Sequence, residues 1–218
     1  MAEIIPTITA YTPDEYARQM ETLASFASRL HIDITDGDFA PSQTINLNQV
    51  YWDRSDMLHQ IDLHLMLRRP IDWLDQIVAL APDLVIFHAE SDESQTVLPR
   101  MFEHLHKFEI KVGVALLPET NPDDVKEIIA LSDHVLIFGG HLGYQGGEAD
   151  LRQLDKVVAI QSINPSAEIA WDGGANLDNI AQIAHAGIDA INVGSAIIKS
   201  DDPRVSYLHL CDIITTIL

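Results

Sequence analysis

The chain is poor in cysteine and in positive charge. Cys211 is the sole cysteine among 218 residues, which rules out an internal disulfide and any zinc site built from several thiolates. A bound metal would have to be held by His and carboxylates. The 13 Lys and Arg face 33 Asp and Glu, a formal charge of -20, and no basic patch interrupts the acidic excess. Such a surface repels DNA, RNA and anionic lipid. It also repels phosphorylated molecules at long range, so a phosphate site here must act locally, through backbone N–H groups and helix ends. The opening MAEIIPTIT carries no basic cluster followed by a long apolar run, so neither a secretion signal nor a membrane span is expected, and a cytoplasmic protein is. No proline-rich or low-complexity linker divides the sequence, and one domain over 1–218 is expected.

What is present is alternation. Short runs rich in Ile, Val and Leu recur between longer amphipathic or polar segments: EIIPTIT (3–9), RLHIDIT (29–35), QIDLHLML (60–67), DLVIFHAE (83–90), KVGVALL (111–117), HVLIFGG (134–140), EIAWDGG (168–174) and AINVGSA (190–196). Buried parallel strands joined by helices read this way. Helix starts are legible between them. TPDEYARQMETLASF offers Thr12 as N-cap, Pro13 at the first helical position and acids in the first turn. NPDDVKEIIAL (121–131) repeats the design, and NLDNIAQIAHAG runs from an Asn cap at 176 to a stop at Gly187. Eight strand–helix units in this length predict an α/β fold, a closed (β/α)8 TIM barrel. The rival, an open doubly wound sheet, lacks support because no G-x-G-x-x-G follows the first strand.

Side chains alternate along a strand. His31, Asp33 and Thr35 therefore share one face, opposite Leu30, Ile32 and Ile34. Asp62, His64 and Met66 oppose Ile61, Leu63 and Leu65, and Ala170 and Asp172 oppose Ile169 and Trp171. In a barrel the apolar set packs on the helices and the ionisable set points inward, near the C-terminal mouth. His31, Asp33, His64 and Asp172 then converge from three strands. A His and an Asp two apart on one strand are often only a hydrogen-bonded pair. Three strands giving the same result favour one divalent ion, which offsets several kcal/mol of buried charge, roughly. Imidazole and carboxylate donors at about 2.0–2.2 Å suit zinc, with iron(II), manganese or cobalt also compatible. His88 is expected as a hydrogen-bonding wall of the pocket, while His59, His104, His106 and His134 are expected at the surface.

Three glycine-bearing turns follow the last strands: GGHLGYQGGEAD (139–150), DGGAN (172–176) and VGSAI (193–197). Tight turns alone need glycine, but loops after strands seven and eight are also where barrels hold phosphate. Gly173, Gly174, Gly194 and Ser195 are the candidates.

With these residues in place the chain resembles the ribulose-phosphate 3-epimerase family from its first strand to its last helix. HIDITDG is similar to that family's H-x-D-x-M-D-G, DLHLML to its D-x-H-L-M, and WDGG with NVGSAI to its V-D-G-G and A-G-S-A. The resemblance implies a metal held by His31, Asp33, His64 and Asp172, with Asp33 and Asp172 as the catalytic acid/base pair. It also implies a phosphorylated ketose gripped by Gly173, Gly174, Gly194, Ser195 and the loop bearing Gly143, Gly146 and Gly147, with Thr7 and Met66 touching the substrate. Thr35 and Phe138 stand where that family has methionines, HLGYQGGEA where it has an N-P-G-F-G-G-Q-like loop, and LLPET where it has an N-P-G-T-like turn. A carboxylate at Glu148 would weaken anion binding unless it turns outward.

The expected reaction is inversion of a carbon beside a carbonyl. One carboxylate removes a proton from one face and the other returns one to the opposite face, interconverting D-ribulose 5-phosphate and D-xylulose 5-phosphate. Two alternatives stay open: an epimerase of a hexulose 6-phosphate, and a non-catalytic barrel that keeps metal or sugar phosphate binding. A lysine-dependent aldolase or decarboxylase lacks support, since Lys111 begins its strand and Lys107, Lys126, Lys156 and Lys199 lie in helices, in turns or beyond the last strand. Homo-oligomers are common in the resembling family, but no interface is legible in this chain.

Overall fold

A computed structural model describes residues 2–52, 59–144 and 146–217. Eight parallel strands close on themselves in chain order, β1 pairing with both β2 and β8. They are β1 (Glu3–Ile8), β2 (Arg29–Thr35), β3 (Gln60–Met66), β4 (Leu84–His88), β5 (Lys111–Leu116), β6 (His134–Phe138), β7 (Glu168–Asp172) and β8 (Ala190–Val193). Each matches a sequence-predicted run, shortened at its C-terminal end by the residues that turn into the mouth loops, except that β2 keeps its full length and β4 also starts one residue later, at Leu84. The helices are α1 (Pro13–Ala24), α2 (Leu74–Leu80), α3 (Ser94–His106), α4 (Lys126–Leu131), α5 (Lys156–Ile163), α6 (Ile180–His185), α7 (Ser195–Ile198) and α8 (Pro203–Ile217). The fold is a (β/α)8 barrel.

Local chemistry accounts for the helix ends. The Thr12 side chain accepts the Glu15 N–H, and Pro13 fills the first turn of α1, where its missing N–H costs nothing. Two expected helices are shorter than their sequence patterns. The 121–131 segment starts with a tight 3-10 turn over Pro122–Val125 before α4. At 176, the Asn176 side chain accepts the Asp178 N–H and holds a turn, and regular helix starts only at Ile180. Between β2 and β3 the described residues hold a single 3-10 turn, Leu47–Gln49.

The apolar residues divide as alternation requires. Leu30, Ile32, Ile34, Leu63, Phe87, Val114, Ile137 and Trp171 belong to the large core between strands and helices, where burying each large side chain contributes about 1.5–3 kcal/mol. The barrel interior has a small apolar plug of its own: Ile5, Leu84, Ile86, Ala115, Leu136, Ala170 and Ala190. Beneath that plug lies a polar floor. Arg29, 6% exposed, donates from Nε to Asp62 at 2.8 Å, from Nη1 to Glu3 and Glu168 at 3.1 and 2.8 Å, and from Nη2 to Glu168 at 2.7 Å. His134 joins it, its Nδ1 lying 2.8 Å from Glu168. The surface position expected for His134 is therefore corrected, since it is 2% exposed. A residue that opens a strand reads as a rim position, but in the closed barrel the first residues of β2, β6 and β7 face one another.

Candidate active site

The opposite end of the interior is also polar. His31 and Asp33 of β2, His64 of β3 and Asp172 of β7 each offer one ligand atom, and these atoms lie within 4.8 Å of one another. His64 Nδ1 sits 2.9 Å from Asp33 Oδ1 and 3.7 Å from Asp172 Oδ2. His31 Nε2 is 3.3 Å from Asp33 Oδ1 without hydrogen-bond geometry, so both ring nitrogens of this fully buried imidazole lack a partner. Thr9 donates its hydroxyl to Asp33 Oδ2 at 2.8 Å, and Gln19 of α1 holds the Thr9 backbone through its N–H and its carbonyl.

The two carboxylates are pushed apart electrostatically. Burial alone would raise Asp33, but its contacts with His31 and His64 outweigh that and hold it well below the ordinary carboxylate range. Asp172 is pushed up to about 7, first by burial and then by the negative charge of Asp33. One ionised and one protonated carboxyl side by side form an acid/base pair. Burial lowers His31 and His88 to about 4, so both rings are neutral.

Above this group opens a cavity at the mouth of the barrel. Asp33, Asp172 and all nine residues expected to touch substrate line it: Thr7, Met66, Gly143, Gly146, Gly147, Gly173, Gly174, Gly194 and Ser195. His31 and His64 lie beneath, fully buried. No Lys or Arg lines the cavity among the described residues. Glu148 is exposed and does not line it, which removes the expected conflict with an anion. Gly173 and Gly174 also meet a packing demand. Both have positive φ, and a Cβ on Gly173 would lie 2.2 Å from the Gly140 backbone nitrogen.

Some site residues escaped the sequence reading. Asn192, 2% exposed, lines the cavity with both amide atoms unpaired. Alternation in AINVGSA carried that signal, since Asn192 falls on the inward face between Ala190 and Gly194. Thr9 was legible only as the end of a strand. His88, expected as a pocket wall, does not line the cavity. It stands behind His64, Nε2 to Nε2 at 2.9 Å, with its Nδ1 3.3 Å from Glu90.

A closed barrel with two buried carboxyls beneath a glycine-walled cavity at its C-terminal mouth defines an enzyme of the (β/α)8 barrel class. Comparison narrows the class. The sequence profile of the ribulose-phosphate 3-epimerase family matches residues 3–198, and the chain belongs to that family. The ribulose-phosphate 3-epimerase of Mycobacterium tuberculosis is 30% identical over 213 residues, covering 95% of this chain and 90% of that one. That of Aquifex aeolicus is 28% identical over 185 residues, covering 83% and 82%. The solved 3-hexulose-6-phosphate synthase of Salmonella typhimurium superposes with a TM-score of 0.73 over 99% of this chain and 100% of that one, at 15% identity, a likeness of fold alone. No described helix is long and apolar enough to cross a membrane.

Proposed function

We propose that this chain is a metal-dependent ketose-phosphate 3-epimerase acting in the cytoplasm, interconverting D-ribulose 5-phosphate and D-xylulose 5-phosphate. The observation that carries the reading is the meeting of Asp33 and Asp172, from strands on different sides of the barrel, at the base of one cavity. Family membership and the names of the relatives support the same substrate class.

The donor set fits a divalent cation. Two imidazoles and two carboxylates are a mixed N/O set suited to zinc, iron(II), manganese or cobalt, and of the two partnerless nitrogens of buried His31, Nε2, the one beside Asp33, is an atom that such an ion would satisfy. Bound by His31, Asp33, His64 and Asp172, a divalent cation supplies positive charge to offset the negative charge that develops on the substrate oxygens. The protein does the rest. One ionised carboxylate takes the proton from the carbon beside the carbonyl, and the protonated carboxyl returns one to the opposite face. The roles of Asp33 and Asp172 exchange with direction. Thr9 and Gln19 hold Asp33 in place, and the Gly139 N–H, donated to the Asp172 carbonyl at 2.8 Å, ties the end of β7 to the loop after β6. Backbone N–H groups at Gly146, Gly147, Gly173, Gly174, Gly194 and Ser195 would take the phosphate, since no Lys or Arg among the described residues lines the cavity.

The test is epimerisation of ribulose 5-phosphate with and without chelator, beside a panel of ketose phosphates. Chelator-sensitive turnover of the pentulose is expected. A preference for a hexulose 6-phosphate would instead assign the sugar to the pocket reshaped by Thr35, Phe138 and Asn192, and no turnover of any ketose phosphate would sink the enzyme reading.

A further inference from the structure

Behind His64, on the side away from the cavity, runs a buried chain of polar contacts that the proton transfer does not use. His64 Nε2 lies 2.9 Å from His88 Nε2, and the two rings stack with centroids 5.0 Å apart. His88 Nδ1 lies 3.3 Å from Glu90 Oε2. The other carboxylate oxygen, Oε1, accepts the Leu117 N–H at 2.9 Å and the Thr120 hydroxyl. Those two residues belong to LLPET, the turn after β5 that departs from the resembling family. Lys156 of α5 donates to the Leu117 and Pro118 carbonyls at 2.7 and 3.1 Å and pins the turn from outside.

In the metal-free chain Asp33 Oδ1, 2.9 Å away, also calls for a proton on His64 Nδ1, and neutral rings cannot meet that demand together with those of Glu90 and of the Nε2 pair; once Nδ1 serves a cation instead, hydrogen-bond polarity along this chain has one consistent solution. A carboxylate only accepts, so His88 must carry its proton on Nδ1, facing Glu90. Its Nε2 is then a lone pair and accepts from His64 Nε2–H. The only proton of His64 is thereby held on the far side of the ring, and its Nδ1 lone pair faces Asp33 and Asp172, the form in which an imidazole binds a cation. We propose that Glu90 and His88 are positioning residues that fix the orientation and tautomer of His64 toward the candidate cation site, with the LLPET turn setting Glu90. The cation itself rests on the functional reading above.

Glu90→Gln tests the polarity with almost no change of shape. The Gln oxygen stays with its two donors, Leu117 N–H and Thr120 Oγ1, which leaves the NH₂ facing His88 Nδ1. That nitrogen must then accept, the His88 proton moves to Nε2, and the His64 proton is driven onto Nδ1, where a cation would bind. Zinc affinity of metal-stripped protein, read by competition with a chromophoric chelator, should fall about 10- to 100-fold in Glu90→Gln, with the thermal midpoint of the metal-free protein level or raised, because the displaced proton then faces Asp33 Oδ1. Thr120→Val, which frees one side of Glu90, should weaken zinc less and in the same direction, and it provides the reading if Glu90→Gln does not fold. Unchanged zinc affinity in the folded variants would overturn the positioning role while leaving the epimerase reading in place. A wild-type protein that binds no zinc, manganese or cobalt would remove the cation, and this role with it.

Discussion

Replacing Asp172 by Asn keeps the shape of the side chain and removes its ability to exchange a proton. Asp172 sits 3.7 Å from His64 and, in the metal-free chain, is the carboxyl that burial and the Asp33 charge raise to about 7. Losing one positioned acid/base group costs about 10²- to 10⁴-fold in rate, or about 2.7–5.4 kcal/mol of barrier. Asp172 is also one of four candidate ligands, and a weakened cation would add to the loss. Assaying at saturating manganese separates the two contributions. The informative assay follows the substrate hydrogen by NMR in deuterated water, starting from each epimer separately. Epimerisation should fall at least 10²-fold, roughly the lower bound for such a group, while the epimer whose proton faces Asp33 still exchanges with solvent. Wild-type epimerisation at saturating manganese, or unimpaired exchange from both epimers, would refute the assignment of opposed carboxylates.

Asn192→Val removes a buried amide that has no protein partner. If Asn192 meets a substrate hydroxyl, KM should rise about 2- to 13-fold, the equivalent of one hydrogen bond of 0.5–1.5 kcal/mol, while the thermal midpoint stays level or rises; an unchanged KM would count against that contact. Arg29→Met leaves Asp62, 1% exposed, without its cation and should cost about 3–5 kcal/mol in urea unfolding, with much of that recovered when Asp62 is made Leu as well. The same floor sets an acid limit. Burial pushes Glu168 up, but Arg29 and His134 outweigh it and hold the carboxyl below its ordinary 4.5, so its contribution is complete above pH 4.5 and is lost as the pH falls further. Glu168→Gln should flatten that acid limb of the stability curve, and an unchanged limb would place the acid sensitivity elsewhere.

Period-2 alternation and the recurrence of strand and helix signals were enough to place all eight strands and to turn His31, Asp33, His64 and Asp172 toward one interior. Those are local properties: which face a residue occupies follows from its parity along a strand, and closure in chain order follows from right-handed crossovers between neighbouring parallel strands. Contacts between strands far apart in sequence are not local, and only the closed barrel decided them. His134 looked like a rim residue until closure set it beside Glu168 and under Arg29. Asn192 became a site residue because β8 lies between β1 and β7, which brings its unpaired amide to the cavity of Asp172. Glu90 acquired its place behind His64 because the turn after β5 folds back to meet the end of β4, an encounter that no spacing along the chain encodes.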